Sequence, residues 1–153
     1  MNWLETKIPP LLLVIFIGTA MWIISEITVS IVILTYIKIT LSVITVLIGL
    51  AFVIAGVISF RYAHTTVDPT HPEKSNALVT SGIYQKTRNP MYVGFFCFLI
   101  AWAIYLGNVF SLLIACLFIP YMNRFQIQPE EKMLEQLFRD EYRAYLSHVR
   151  RWL

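Results

Sequence analysis

Four stretches of almost entirely apolar residues run through the chain, and the segments that separate them differ in length and polarity. They cover residues 8–25, 39–60, 91–106 and 109–121 and are rich in Leu, Ile, Val and Phe. The third would be about 24 Å long as a helix, somewhat shorter than the roughly 30 Å hydrocarbon core of a bilayer. The pattern predicts an all-α polytopic membrane protein with about four transmembrane helices.

The connections between these stretches carry further signals. Residues 26–38 remain apolar and either extend a neighbouring helix or lie at the membrane interface. Gly49 and Gly56 in the second stretch allow close contact with another helix. Gly107 and Asn108 suit a helix C-cap followed by a helix N-cap, which predicts a tight hairpin of the third and fourth stretches.

Polar residues dominate two segments, the loop 61–89 and the tail 129–149. In the tail, Glu130 and Glu131 stand in a first helical turn, where carboxylates interact favourably with the helix dipole. The tail is therefore predicted to form a C-terminal amphipathic helix. Its apolar face consists of residues at helical spacing, namely Leu134, Leu137, Phe138, Tyr142, Tyr145, Leu146 and Val149.

The composition agrees with a membrane protein, because 58% of residues are hydrophobic and only 14% are charged. No cleavable signal peptide is expected, since no small-residue cleavage site follows the first apolar run. The net charge of +3 is small, and no basic-aromatic pattern indicates nucleic-acid binding. Cys97 and Cys116 lie in apolar stretches, and His64 and His71 are too far apart for a one-face helical pair, so no disulfide or metal site is expected.

The cationic residues predict the orientation in the membrane. Eleven of the twelve Lys and Arg residues fall at Lys7, in the loop 61–89 or from Arg124 onward. Two apolar stretches separate each of these regions from the next, so one side of the membrane can hold all three. By the positive-inside rule that side is the cytoplasm, which places both termini there.

The segment before the third stretch carries the candidate chemistry. Asn89 can cap free backbone N–H groups and Pro90 suits a first helical position, so a membrane helix is predicted to begin at Pro90. The positive end of that helix and the adjacent Arg88 form a suitable binding position for a carboxylate or phosphate. The residues also fit a simpler interpretation, in which Ser81 and Gly82 form a turn, Arg88 contacts the interface and Asn89 only caps the helix.

Three groups of residues in the C-terminal half resemble those of a known family. They are Leu78-Val79-Thr80-Ser81-Gly82-Ile83-Tyr84, Arg88-Asn89-Pro90-Met91-Tyr92-Val93-Gly94, and Glu130-Glu131 followed by Leu134, Phe138, Tyr142 and Tyr145. In this order they resemble the isoprenylcysteine carboxyl methyltransferase and phospholipid methyltransferase group of integral membrane enzymes. The resemblance covers roughly residues 66–153, about half of the chain.

The resemblance implies an S-adenosylmethionine-dependent methyltransferase with one membrane domain, in which 1–60 is a helical hairpin and 61–153 the cofactor-binding catalytic core. It implies catalytic roles for Arg88 and Glu131 on the cytoplasmic side. The cofactor-binding residues that it implies are Val79, Gly82, Tyr84, Arg88, Asn89, Pro90, Tyr92, Glu130 and Glu131. Two positions depart from the family pattern: Asn89 stands where histidine is frequent and cannot carry a proton, and Arg139 stands where glycine is frequent, which affects a turn more than the chemistry.

The acceptor is expected to be a lipid or a prenylated molecule. A carboxylate or thiolate is already nucleophilic, whereas a phospholipid amine must lose a proton, and no obvious base is present. The sequence therefore favours a reaction most like isoprenylcysteine carboxyl O-methylation, with phospholipid N-methylation as the alternative. An NADPH-dependent membrane reductase and a non-catalytic membrane scaffold are the remaining alternatives, although no basic cluster for a 2′-phosphate is present.

Overall fold

The computed structural model describes residues 8–63 and 77–153, and these are almost entirely helical. The histidines His64 and His71, considered for a metal site, lie outside the described residues, and so does Lys7, one of the cations that predict the orientation. The α-helices are α1 (Pro10–Ile27), α2 (Thr35–Tyr62), α3 (Pro90–Leu106), α4 (Val109–Cys116), α5 (Phe118–Met122) and α6 (Gln128–His148), with a 3₁₀ turn at Gly82–Gln85 and a π-helical turn at Asn123–Ile127. The all-α prediction is confirmed.

Within the described residues, three helical stretches are long and apolar enough to cross a membrane: Pro10–Ile27, Thr35–Tyr62 and the continuous Val109–His148. Pro90–Leu106 is a shorter apolar helix, as the sequence predicts. The first two helices both extend into the apolar stretch 26–38, so that residues 28–34 alone connect them. The protein is therefore a helical membrane protein.

Helical structure continues from the fourth apolar stretch into the tail helix. Pro120 has no N–H to donate to the carbonyl of Cys116, so the helical hydrogen-bond pattern is broken at Leu117, between α4 and α5, although the backbone of Leu117 stays helical. The π-helical turn then joins α5 directly to α6. The predicted amphipathic helix 129–149 is confirmed to within one residue at each end, and a π-helical turn that the sequence did not indicate connects it to the membrane hairpin.

Helices α2 and α3 pack with their backbones in close contact. A Cβ atom on Gly49 would lie 2.9 Å from the Gly94 carbonyl oxygen, and one on Gly56 would lie 2.9 Å from Met91 Cγ. A Cβ on Gly94 would lie only 2.5 Å from Val53 Cγ2. Close helix contact at Gly49 and Gly56 is thus confirmed. The contact fixes the position of α3 relative to α2 at Gly94.

Hydrogen bonds hold α1 against the α3–α4 hairpin. Gly107 has a φ of +62° at the end of α3, and the Asn108 side chain accepts a bond from Ser111 N at 3.0 Å, which confirms the predicted caps. Asn108 Nδ2 also donates to Thr28 Oγ1 at 2.8 Å, and Trp102 Nε1 donates to the Gly18 carbonyl at 3.1 Å. These bonds give polar groups partners in an apolar environment.

Candidate active site

Tyr92 and Glu130 meet where α3 and α6 begin. The Tyr92 hydroxyl donates to Glu130 Oε1 at 2.6 Å, and Gln126 Nε2 donates to the same oxygen at 2.6 Å. Glu130 belongs to α6, the charged part of the helical stretch Val109–His148, and it lies beyond the apolar residues 109–121. Burial raises the pKa of Glu130 from 4.5 to about 7, although both hydrogen bonds act to lower it. This carboxyl group can therefore take up or release a proton near neutral pH.

Glu131 pairs with two arginines. Arg88 Nη2 lies 3.0 Å from Glu131 Oε1, while Arg151 donates from Nε to Oε1 at 3.0 Å and from Nη2 to Oε2 at 2.6 Å. The Arg88 and Glu131 side chains are 13% and 18% exposed. Two cations thus share the Glu131 carboxylate in a largely desolvated place.

Arg88 has a donor to spare. Among the buried side-chain atoms of the described residues, its Nε is one of the two that have no hydrogen-bond partner. A buried guanidinium N–H without a partner costs free energy until an acceptor is provided. The site therefore has the electrostatics of a binding position for a carboxylate or another small anion.

Tyrosines surround these charged groups. Tyr84 is buried, its ring meets Phe60 edge-on at 5.4 Å between centroids, and its carbonyl accepts a bond from the Tyr145 hydroxyl at 2.7 Å. Burial raises the pKa of Tyr84, and it also raises the pKa of Tyr142, which lies close enough to feel the charges of Glu131 and Arg88. These phenols stay neutral and present aromatic surface and hydrogen-bonding groups.

The closing segment, residues 149–152, folds back onto the beginning of α3. Arg88 N donates to the Arg150 carbonyl at 2.9 Å, and the Arg151 carbonyl accepts from Thr87 Oγ1 at 3.2 Å and from Asn89 Nδ2 at 2.9 Å. The Asn89 side chain makes no capping hydrogen bond to α3, although Asn89 stands at the N-cap position. The prediction that its side chain caps the helix is wrong, because its amide binds the closing segment instead.

The structure brings together five of the predicted site residues and places two others, Gly82 and Pro90, against α2. The five are Tyr84, Arg88, Tyr92, Glu130 and Glu131, which form one connected group with Tyr142 and Tyr145. A Cβ on Gly82 would lie 2.8 Å from Ser59 Oγ, and Pro90 packs near Gly56. Val79 is buried just before the 3₁₀ turn, and Asn89 contacts the closing segment.

Gln126 and Arg151 are site residues that the sequence did not reveal. Gln126 stands four residues before Glu130 on the same continuous helix, a spacing that indicates contact once that continuity is known. Arg151 lies beyond the end of α6, where no periodic pattern predicts its position. Of the residues that the structure describes, no group of three or more His, Cys, Asp or Glu could hold a metal ion.

Comparison with known proteins finds methyltransferases. A Haemophilus influenzae protein described as uncharacterized is 48% identical over 63 residues, which are 41% of this chain and 100% of that protein. Two proteins named protein-S-isoprenylcysteine O-methyltransferase also match. The one from Schizosaccharomyces pombe is 38% identical over 76 residues, 50% of this chain and 32% of its own. The one from Saccharomyces cerevisiae is 35% identical over 80 residues, 52% of this chain and 34% of its own.

The chain thus spans about a third of the length of the two yeast relatives. No solved structure matches it significantly. The family model for phospholipid methyltransferases matches residues 37–141, a range that contains Arg88, Tyr92, Glu130 and Glu131. The resemblance seen in the sequence is confirmed, and the chain belongs to the phospholipid methyltransferase family.

Proposed function

We propose that this chain transfers a methyl group from S-adenosylmethionine to a lipophilic or lipid-anchored acceptor at the cytoplasmic face of the membrane, most like isoprenylcysteine carboxyl O-methylation. One observation carries the proposal: Tyr92 bonds to Glu130 while Arg88 pairs with Glu131, so two motifs far apart in sequence build one buried polar site. Convergent cationic, acidic and aromatic groups beside apolar helices are typical of a site for a charged cofactor and a lipid.

The residues present fit the chemical groups of S-adenosylmethionine. The buried Arg88 Nε suits its carboxylate. Glu130 can accept hydrogen bonds from its ammonium or ribose hydroxyls, and the rings of Tyr84 and Tyr142 suit adenine. When bound, S-adenosylmethionine supplies an electrophilic methyl group on a sulfonium.

The chain's own residues would act chiefly by positioning and by excluding water. Tyr92 and Gln126 hold the Glu130 carboxyl group, and the two arginines hold Glu131. Displacement at a methyl group needs the nucleophile and leaving group in line, and fixed neighbours reduce the entropy lost in reaching that geometry. Because this site is largely buried, its electrostatic interactions are stronger than in water.

A groove between α1 and α3 supports a lipophilic acceptor. Its volume is 330 Å³, and Gly18 and Trp22 of α1 face Phe98 and Trp102 of α3 across it. It opens among exposed apolar side chains, as a surface in contact with lipid tails does.

Phospholipid N-methylation is the second candidate, and Glu130 favours it. An amine must lose a proton before it attacks, and a carboxyl group with a pKa of about 7 can accept that proton near neutral pH. The sequence alone indicated no such base.

The cytoplasmic orientation rests on the cation distribution, and it is supported by Arg88 and Arg151 lying together at the start of α3.

Calorimetric titration of the purified full chain in detergent tests the cofactor. We expect binding of S-adenosylmethionine and S-adenosylhomocysteine, and loss of both in Arg88→Ala and Glu131→Gln. Lys86→Ala and Glu141→Gln are matched controls, because both side chains are exposed in the same two segments. Binding of NADPH alone would identify a reductase, and binding of none of the three in detergent and in lipid nanodiscs would favour a scaffold.

Product analysis tests the acceptor. The chain in nanodiscs would receive radiolabelled S-adenosylmethionine with either a prenylated cysteine or phosphatidylethanolamine. A methyl ester releases labelled methanol in alkali, whereas an N-methyl product does not. Alkali-labile label from the prenylated cysteine supports the first proposal, and stable label in the phospholipid supports the second.

A further inference from the structure

Glu131 is shared unequally between its two arginines. Arg151 uses its Nε and Nη2 to contact both carboxylate oxygens, whereas Arg88 reaches only Oε1, through Nη2. The two-point geometry is the preferred arrangement of an arginine and a carboxylate. Arg151 therefore occupies the arrangement that Arg88 would otherwise adopt.

The consequence for Arg88 is one unused donor, its Nε. This atom lies on the same edge of the guanidinium as Nη2, and it is buried and has no hydrogen-bond partner among the described residues. Without Arg151, Arg88 could place both Nε and Nη2 against the two oxygens of Glu131. With Arg151 present, Nε stays available to another acceptor while Nη2 contacts Oε1.

Arg151 is held firmly enough to have this effect. Its carbonyl accepts bonds from Thr87 Oγ1 and Asn89 Nδ2, on either side of Arg88. The next residue, Trp152, donates from Nε1 to Asn123 Oδ1 at 3.0 Å. The closing segment is thus held at the Arg151 carbonyl and at the Trp152 side chain. The Arg151 side chain extends from it to Glu131.

We propose that Arg151 is a positioning residue of the donor site: it binds both oxygens of Glu131 and so keeps the Nε of Arg88 free for the carboxylate of the methyl donor. This inference rests on the proposed function. It assigns the closing segment a part in binding the amino-acid end of the donor, and no direct contact between Arg151 and the donor is needed.

Two ligands separate this role from a merely structural one. S-adenosylhomocysteine carries the carboxylate, and 5′-methylthioadenosine has the same nucleoside without the amino-acid end. Arg151→Gln should weaken the binding of S-adenosylhomocysteine by about tenfold or more, since the charge-assisted contact of Arg88 with its carboxylate is lost. The affinity for 5′-methylthioadenosine should stay nearly unchanged. Arg150→Gln removes an exposed neighbouring charge and should change neither affinity.

A double-mutant cycle tests whether Arg151 acts through Arg88. In the Arg88→Gln background, Arg151→Gln should cause little further loss of S-adenosylhomocysteine binding. Additive losses, or equal weakening of both ligands, would overturn the proposal. Arg151→Lys keeps the charge but not the two-point contact, so it should show the same selective loss if Arg151→Gln does not fold.

Different results would overturn the role of Arg151 and the proposed function. Unchanged S-adenosylhomocysteine affinity in Arg151→Gln overturns the role of Arg151 and leaves the proposed function standing. Absence of S-adenosylhomocysteine binding to the wild-type chain overturns both.

Discussion

The Tyr92 hydroxyl and Glu130 Oε1 are 2.6 Å apart, a short hydrogen bond that joins the start of α3 to the first turn of α6. Helix α3 is positioned by its glycine contact with α2, and α6 continues from the hairpin through the π-helical turn. The bond therefore depends on the placement of both α3 and α6. A substitution that moves either helix should change the affinity of the site for the methyl donor.

The raised pKa of Glu130 predicts a pH dependence of stability. Between pH 4.5 and about 7 the folded protein binds more protons at Glu130 than the unfolded chain does. The stability that this group contributes is complete below pH 4.5 and is lost as the pH rises to about 7. Thermal unfolding of wild type and Glu130→Gln across this window should show the wild type losing stability relative to the variant. Glu141→Gln should follow the wild type, and a constant difference between wild type and Glu130→Gln would contradict the assignment.

Gly94→Ala should destabilise the protein and weaken donor binding. The added methyl group would lie 2.5 Å from Val53 Cγ2 and 2.6 Å from the Gly49 carbonyl oxygen, so α3 must move away from α2. Overpacking of this kind costs about 1–3 kcal/mol. Gly18→Ala is the control, since its methyl group would meet nothing within 4 Å. Equal melting temperatures for the two variants would show that α2 and α3 do not pack as described.

Arg139→Gly should stabilise the protein. Arg139 interrupts α6 with φ of 43° and ψ of −112°, a conformation that glycine adopts far more readily than residues with a Cβ. We expect the free energy of unfolding to rise by about 1 kcal/mol relative to Arg139→Ala, which removes the long side chain but keeps the strained Cβ. Chemical denaturation in mixed micelles measures the difference, and an Arg139→Ala variant at least as stable as Arg139→Gly would argue against strain.

Gly18→Phe should impair the use of long-chain acceptors. The new ring would fill the groove between α1 and α3, where Gly18 faces Trp102. Methylation of a long-chain acceptor should fall several-fold more than methylation of a short-chain analogue, while the affinity for S-adenosylhomocysteine stays the same. Gly18→Ala should behave as wild type. A uniform loss with both acceptors would indicate that the groove does not hold the acceptor's tail.

Local sequence signals predicted much of the fold. The apolar stretches gave the helices, Gly107 and Asn108 gave the hairpin, and Gly49 and Gly56 gave the α2–α3 contact, because each depends on neighbours in the chain or on one helical face. The connection at 123–127 was not predictable, because a π-helical turn has no local sequence signal of the kind that glycine, proline or capping residues provide.

The site was only partly predictable. Resemblance to a family pointed to Arg88, Tyr92, Glu130 and Glu131, which the structure brings together, and their roles stay predictions. Arg151 could not be foreseen, since its position depends on a tertiary contact 20 residues away in sequence. Asn89 was correctly predicted to stand at the N-cap position of α3. Its side chain nevertheless binds the Arg151 carbonyl of the closing segment, a partner that local sequence does not indicate.

The hydrogen bonds between the start of α3 and Arg151 have a consequence for biogenesis. They join residues 62 and 64 positions apart, so they form only after the closing segment has been synthesised and has folded back. The membrane helices can insert and the α2–α3 contact can form while this segment is still in the ribosome. Packing of α3 against α2 can therefore precede completion of the site, because both Glu131 and Arg151 follow α3 in the chain.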